Sequence, residues 1–170
     1  MTELLLTRHG ETNWNRDRRI QGHTDVPLNA VGLEQARALA DQLADEKLIA
    51  VRSSDLARAR VTAEIIAQVH GLEVTVDRDL REKNFGSWEG LTDTEIADRF
   101  PDAVRGRWGD GETTEEVAQR AVAAIERIRQ RHPTGRVLVV SHGGALRAIL
   151  DHLGVEHGPI RNCDVFRVGY

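Results

Sequence analysis

Short apolar runs alternate along this chain with apolar stripes at helical spacing, and that alternation limits the possible folds more than any other feature. Runs at residues 3–7, 48–52, 73–76, 137–140 and 164–168 have the length and flanks of strands. Between them fall three stripes on one helical face each. They are Leu33, Ala36, Leu39, Ala40 and Leu43; Leu56, Ala59, Ala63, Ile66 and Ala67; and Val117, Ala121, Ala124, Ile125 and Ile128. Asn29 and Thr113 or Thr114 are the expected helix caps, and Gly71, Pro101, Pro133 and Gly135 punctuate. Strands alternating with helices predict an α/β fold: a three-layer α/β/α sandwich around a mostly parallel sheet. At 170 residues, one domain over 1–170 suffices, with no repeat or linker in view.

The chemistry collects where the strands end. Residues 3–7 stop abruptly at Arg8, His9 and Gly10; residues 48–52 run into Ser53 and Ser54, with Arg58 in the first turn of the next helix. The β-branched run at 137–140 leads into Ser141, His142, Gly143 and Gly144, again opening a helix. If the strands are parallel, two arginines, two histidines and two helix N-termini meet at one sheet edge, where open α/β sheets bind ligands. Guanidinium groups fork onto phosphate oxygens, and a helix N-terminus offers free N–H groups and partial positive charge. A histidine ring is a nucleophile at one nitrogen when the other is held. Gly10 lets a ligand approach the backbone.

Each residue also has a plainer reading. Arg8 and His9 are surface decoration in most chains, Arg58 suits an ion pair with Asp55 or Glu64 along its helix, and His142 suits a core histidine on a carbonyl. Their convergence at three strand–helix junctions is what points to a phosphate pocket.

Composition bounds the alternatives. The net charge is −4, so any anion site must be local. The basic loop with Arg16, Arg18 and Arg19 is short and poor in aromatic neighbours, which argues against nucleic acid. The single cysteine, Cys163, excludes an internal disulfide and reads as a small apolar filler in a strand. No CxxC or helical His-x-x-x-His supports a metal, and no apolar run is long enough for a signal peptide or a membrane span. A cytoplasmic protein is the default expectation.

Four ordered stretches resemble the histidine phosphatase superfamily, in its phosphoglycerate-mutase-like branch. They are residues 5–15 (Leu-Leu-Thr-Arg-His-Gly-Glu-Thr-Asn-Trp-Asn), 54–63, 80–90 (with Leu80-Arg81-Glu82 and Phe85-Gly86-Ser87-Trp88-Glu89-Gly90) and 141–144. The resemblance spans essentially the whole chain and implies a role for each residue. His9 takes the phosphoryl group; Arg8, Arg58 and His142 hold it, with Asn15 and Gly143; Gln21 and Gly22 face the substrate. Glu82 gives a proton to the leaving oxygen and takes one from water; it must start protonated, which burial and the incoming phosphate would favour. No metal or other cofactor is implied. The short stretch at 100–112 leaves little room for the basic insertion of the larger mutases. That favours hydrolysis of small-molecule phosphate esters, with a mutase or a silent phosphate-binding domain as alternatives. Pocket walls are expected from 13–24, 84–88 and 102–113. Family members often continue past the position of Tyr170 with another strand, so the last strand's edge suggests a homodimer.

Overall fold

The computed structural model describes residues 1–102 and 110–169. Five strands form one sheet: β1 (Thr2–Arg8), β2 (Leu48–Ser53), β3 (Val74–Val76), β4 (Gly135–Ser141) and β5 (Val165–Gly169), in the order β3-β2-β4-β1-β5. All neighbours are parallel except β1 and β5. The longer helices are α2 (Ala30–Gln42), α3 (Ala57–Val69), α5 (Thr114–Arg131) and α6 (Gly143–His152). Two short ones, α1 (Asn13–Arg16) and α4 (Asp93–Arg99), lie in the connections.

The pleat divides the apolar residues between two cores. Leu5, Val51, Leu138 and Val140 pack on Leu39, Ala40 and Leu43 and on Ala59, Ala63 and Ile66, from the α2–α3 layer. Leu4, Leu6, Val137 and Val139 face the other way, onto α5 and α6 through Val117, Ala121, Ile125, Leu146 and Ile149. Successive residues of one strand thus serve opposite layers, as the period of two requires. A smaller cluster of Trp88, Leu91 and Ile96 anchors the loops above the sheet.

Side chains fix the helix starts. Asn29 accepts from Gly32 N at 2.8 Å, and Thr92 and Thr113 form capping boxes with Glu95 and Glu116. Thr113, not Thr114, is therefore the α5 cap. Two expectations change. Residues 13–16 form a helical turn capped by Thr12 and Asn15, so Arg16, expected in the basic loop, ends a helix. Cys163 sits not in a strand but in the turn before β5, at φ 62°, with its N–H donated to Arg8 O. The expected loop and pocket wall at 102–113 lies, for residues 103–109, outside the described residues.

Candidate active site

The strand ends are brought level by register. Arg8 lies opposite Ser141, and Ser53 opposite Val140. The ladder continues one residue further on each side, through His9 N to Ser141 O (3.1 Å) and Ser54 N to Val140 O (3.0 Å). A cavity of about 180 Å³ opens above, lined by Arg8, His9, Asn15, Arg19, Ile20, Gln21, Gly22, Arg58, Glu82 and Phe85. Eight of the nine residues singled out in the sequence therefore line this cavity or, in the case of His142, stand beside it.

His9 is 2% exposed, and its Nδ1 lies 2.6 Å from Gly10 O. That contact places the ring proton on Nδ1 and leaves Nε2 with a lone pair. Burial, then the charges of Arg58 and Arg8, holds the His9 pKa well below the usual 6.5. The ring is therefore neutral at physiological pH. His142 caps the start of α6, fully buried, with ring centroids 5.1 Å from those of His9. Among the described residues neither of its ring nitrogens has a hydrogen-bond partner, so His142 is not held on a carbonyl there as a core histidine would be. Burial, then Arg58 and His9, also keeps its pKa well below 6.5.

Arg58 has no exposed surface. It forms neither of the ion pairs open to it on its helix. Its Nη1 donates to Thr24 O (2.9 Å) and its Nη2 to Gly22 O (2.7 Å), while Nε has no partner among the described residues. Burial pushes its pKa down to about 10, against the opposing pull of Glu82. Arg8 donates through Nη1 to Ile160 O at 2.8 Å and also leaves a buried Nε unpartnered. Buried Arg58 and half-buried Arg8, bonded to carbonyls and each with a buried Nε left over, suit an incoming anion.

The helix N-termini do not serve as the sequence suggests. Asp25 accepts the Ala57 N–H that opens α3, at 2.7 Å. Glu82 accepts from Gly144 N (3.0 Å) and Ala145 N (3.2 Å) at the start of α6, and from Lys83 N (2.8 Å). Carboxylates thus take N–H groups expected to hold phosphate. The glycines also change roles. A Cβ on Gly10 would lie 2.5 Å from Gly32 O, so Gly10 is set by the packing of α2 and not by ligand approach. Gly143 has room for a Cβ, 3.6 Å from Arg8 Nε, and does not line the cavity. Gly144 has none, 2.4 Å from Glu82 Oε1.

Gln21 and Gly22 are held by their neighbours. Thr12 Oγ1 donates to Gln21 Oε1 at 2.7 Å, and Asn15 Oδ1 accepts from Thr12 N at 3.1 Å. Gly22 has φ +54°, and a Cβ there would strike the Glu89 carboxylate. Glu89 accepts from His23 N, Thr24 N and Phe85 N, so it staples the loop that orients Arg58 to the loop that follows Glu82. Asn162 Nδ2 donates to His9 O at 2.9 Å. Sequence reasoning assigned no role to Glu89, Asn162 or Gly144. Glu89 lay in a quoted motif; Asn162 gave no local signal. Among the described residues no three His, Cys, Asp or Glu side chains cluster as metal ligands, and no helix is long and apolar enough to cross a membrane.

Comparison with known proteins places this geometry in a family. The chain is 44% identical to the metal-independent phosphoserine phosphatase of Arabidopsis thaliana over 160 residues, covering 88% of this chain and 67% of that protein. It is 42% identical to phosphoglycerate mutase-like protein 4 of the same plant, covering 88% and 70%. A mycobacterial glucosyl-3-phosphoglycerate phosphatase, solved with VO3, superposes with a TM-score of 0.89 at 30% identity, over 98% of this chain and 90% of that one. The family model of the histidine phosphatase superfamily (branch 1) matches residues 4–169. The chain belongs to the histidine phosphatase superfamily.

Proposed function

We propose that the chain is a metal-independent phosphatase that hydrolyses small-molecule phosphate monoesters through a phosphohistidine at His9. The observation that carries this reading is the neutral, Nδ1-anchored His9 beside Arg58, buried, and Arg8, half-buried, each with an unspent buried Nε. The His9 Nε2 lone pair attacks phosphorus, the ester P–O bond breaks, and Glu82 gives its proton to the leaving oxygen. Water then attacks the phosphohistidine, Glu82 takes its proton, and the P–N bond electrons return to Nε2. Arg8, Arg58, His142 and Asn15 stabilise charge on the equatorial oxygens, and Gln21 and Gly22 shape the entrance.

The named activities of two relatives, on phosphoserine and on glucosyl-3-phosphoglycerate, support small phosphate monoesters as the substrate class. The reading includes a cytoplasmic location, in keeping with a lone unpaired cysteine. It also includes a homodimer across the open β5 edge, which a concentration-independent monomeric mass rejects. No nucleic acid or membrane enters it.

The test is phosphate release from an aryl phosphate and a panel of alkyl phosphates in EDTA, comparing the native chain with His9→Ala. Release that persists in EDTA and vanishes in the variant is the expected result. Release abolished by EDTA rejects the metal-independent route. The mutase-like relative keeps one second reading in view. Interconversion of 2- and 3-phosphoglycerate stimulated by bisphosphoglycerate, faster than phosphate release, would favour it.

A further inference from the structure

Arg120, on the polar side of α5, is far more committed than a surface arginine. Its guanidinium has five N–H donors, and all five are spent. Nη1 donates to Asp79 O (2.9 Å) and Arg81 O (2.7 Å), and Nη2 to Glu82 O (2.8 Å). The remaining two donors grip both oxygens of Glu112, at 2.7 and 2.8 Å. Glu112 in turn accepts Asn84 N at 2.7 Å, and its own N–H donates to Asn84 O at 2.8 Å. One ion pair therefore fixes the backbone on both sides of Glu82. His23 adds a donor, Nε2, to the same Glu82 carbonyl at 2.9 Å and links that pair to the loop carrying Gln21 and Gly22.

We infer that Arg120 and Glu112 are positioning residues for the proton donor Glu82. The inference rests on the proposed role of Glu82. Its carboxylate reaches the cavity from a segment with no helix or strand of its own at that point. A general acid must sit within roughly 2.6–3.2 Å of the oxygen it protonates, and a misplacement of about 1 Å costs on the order of 10²-fold. The Arg120 fork supplies that rigidity. Glu112 balances its charge, so the pair acts through geometry. A lysine keeps the charge but cannot span three carbonyls and a carboxylate with one ammonium.

The leaving group provides a readout that a merely structural role would not move. A p-nitrophenolate leaves without a proton, whereas an alkoxide requires one. The value of kcat/KM covers steps through phosphorylation of His9, so it isolates the acid role from the later base role. In Arg120→Lys and Glu112→Gln, kcat/KM for phosphoserine, or for whichever alkyl phosphate in the panel the native chain cleaves fastest, should fall about 10- to 100-fold, within the roughly 10²–10⁴ that general acid catalysis supplies. For p-nitrophenyl phosphate the fall should stay within about threefold, since no proton transfer is at stake. A loss of folded protein lowers both rates alike and leaves their ratio untouched. Equal falls on both substrates, or no fall on either, overturn the inference. Glu82→Gln is the control. If it too treats both substrates alike, the assignment of Glu82 as the acid fails first; if it discriminates and the Arg120 and Glu112 variants do not, the positioning role alone fails.

Discussion

Arginines gather at both ends of the sheet, and the two ends treat them oppositely. At the start of β1 and β4 Glu3 lies opposite Arg136 in the register, and Arg136 and Arg167 pair with Glu3 and Glu46 in a four-residue network. These arginines are partly exposed and each has a carboxylate partner. At the far end Arg8 and Arg58 have carbonyls for partners, keep unpartnered Nε atoms, and face two neutral histidines. One end is electrostatically complete. The other keeps unpartnered donors, which in the proposed function an incoming phosphate takes up.

The comparison can be broken most severely at the nucleophile. His9→Ala should lower kcat by about 10⁴-fold or more, because the proposed route passes through its Nε2. Steady-state phosphate release checks it, and a residual rate within tenfold of native would remove His9 from the reaction. Next comes the buried cation. Arg58→Met should lower kcat/KM about 10²–10³-fold, the cost of losing one preorganised charge-stabilising donor. It should also abolish the stabilisation expected from inorganic phosphate, about 2.7 kcal/mol at a hundred times its Kd and read as a rise in melting temperature. Retained stabilisation by phosphate would show that the anion binds elsewhere.

Acid sharpens the contrast further. His9 and His142 are folded with pKa values well below 6.5, chiefly through burial. Below the unfolded value near 6.5, the unfolded chain binds protons that the folded one does not. Their contribution to stability is therefore complete above that pH and is lost as pH falls, at up to about 1.4 kcal/mol per pH unit for each ring. Urea midpoints between about pH 7 and about pH 5 should fall, and His142→Gln should flatten the slope. A native midpoint constant over that range would mean that the rings take up protons in place. The smallest effect belongs to the complete end. Arg136→Met should cost no more than about 1 kcal/mol, as for other partly exposed pairs, with kcat and KM unchanged. A loss of activity there would erase the distinction between the two ends.

What the sequence makes legible follows from how local each signal is. The strands and helices show because the pleat and the helical period are written residue by residue, as in Leu4, Leu5 and Leu6 serving alternate cores. Arg8, Arg58 and His142 show because each stands at a strand–helix junction. Arg120 does not, because a charge on the polar side of an amphipathic helix reads as solvated until its partners Asp79, Arg81, Glu82 and Glu112 are seen. Asn162 meets His9 O across 153 positions, a contact no local pattern encodes. The helix N-termini mislead for a related reason: the carboxylates that occupy them, Asp25 and Glu82, come from other segments. Gly143 and Gly144 are equivalent on paper, and only the approach of the Glu82 carboxylate tells them apart.

The central claim is that the incomplete end of the sheet is completed by a phosphoryl group bonded to His9. Rapid acid-free quenching of the native chain during turnover of p-nitrophenyl phosphate, followed by intact-mass and peptide mass spectrometry, tests it most directly. The account predicts one acid-labile phosphoryl group, located on His9, appearing before steady state and disappearing when substrate is exhausted. A chain that releases phosphate with no phosphorylated species at any time, or with the group on another residue, would contradict it.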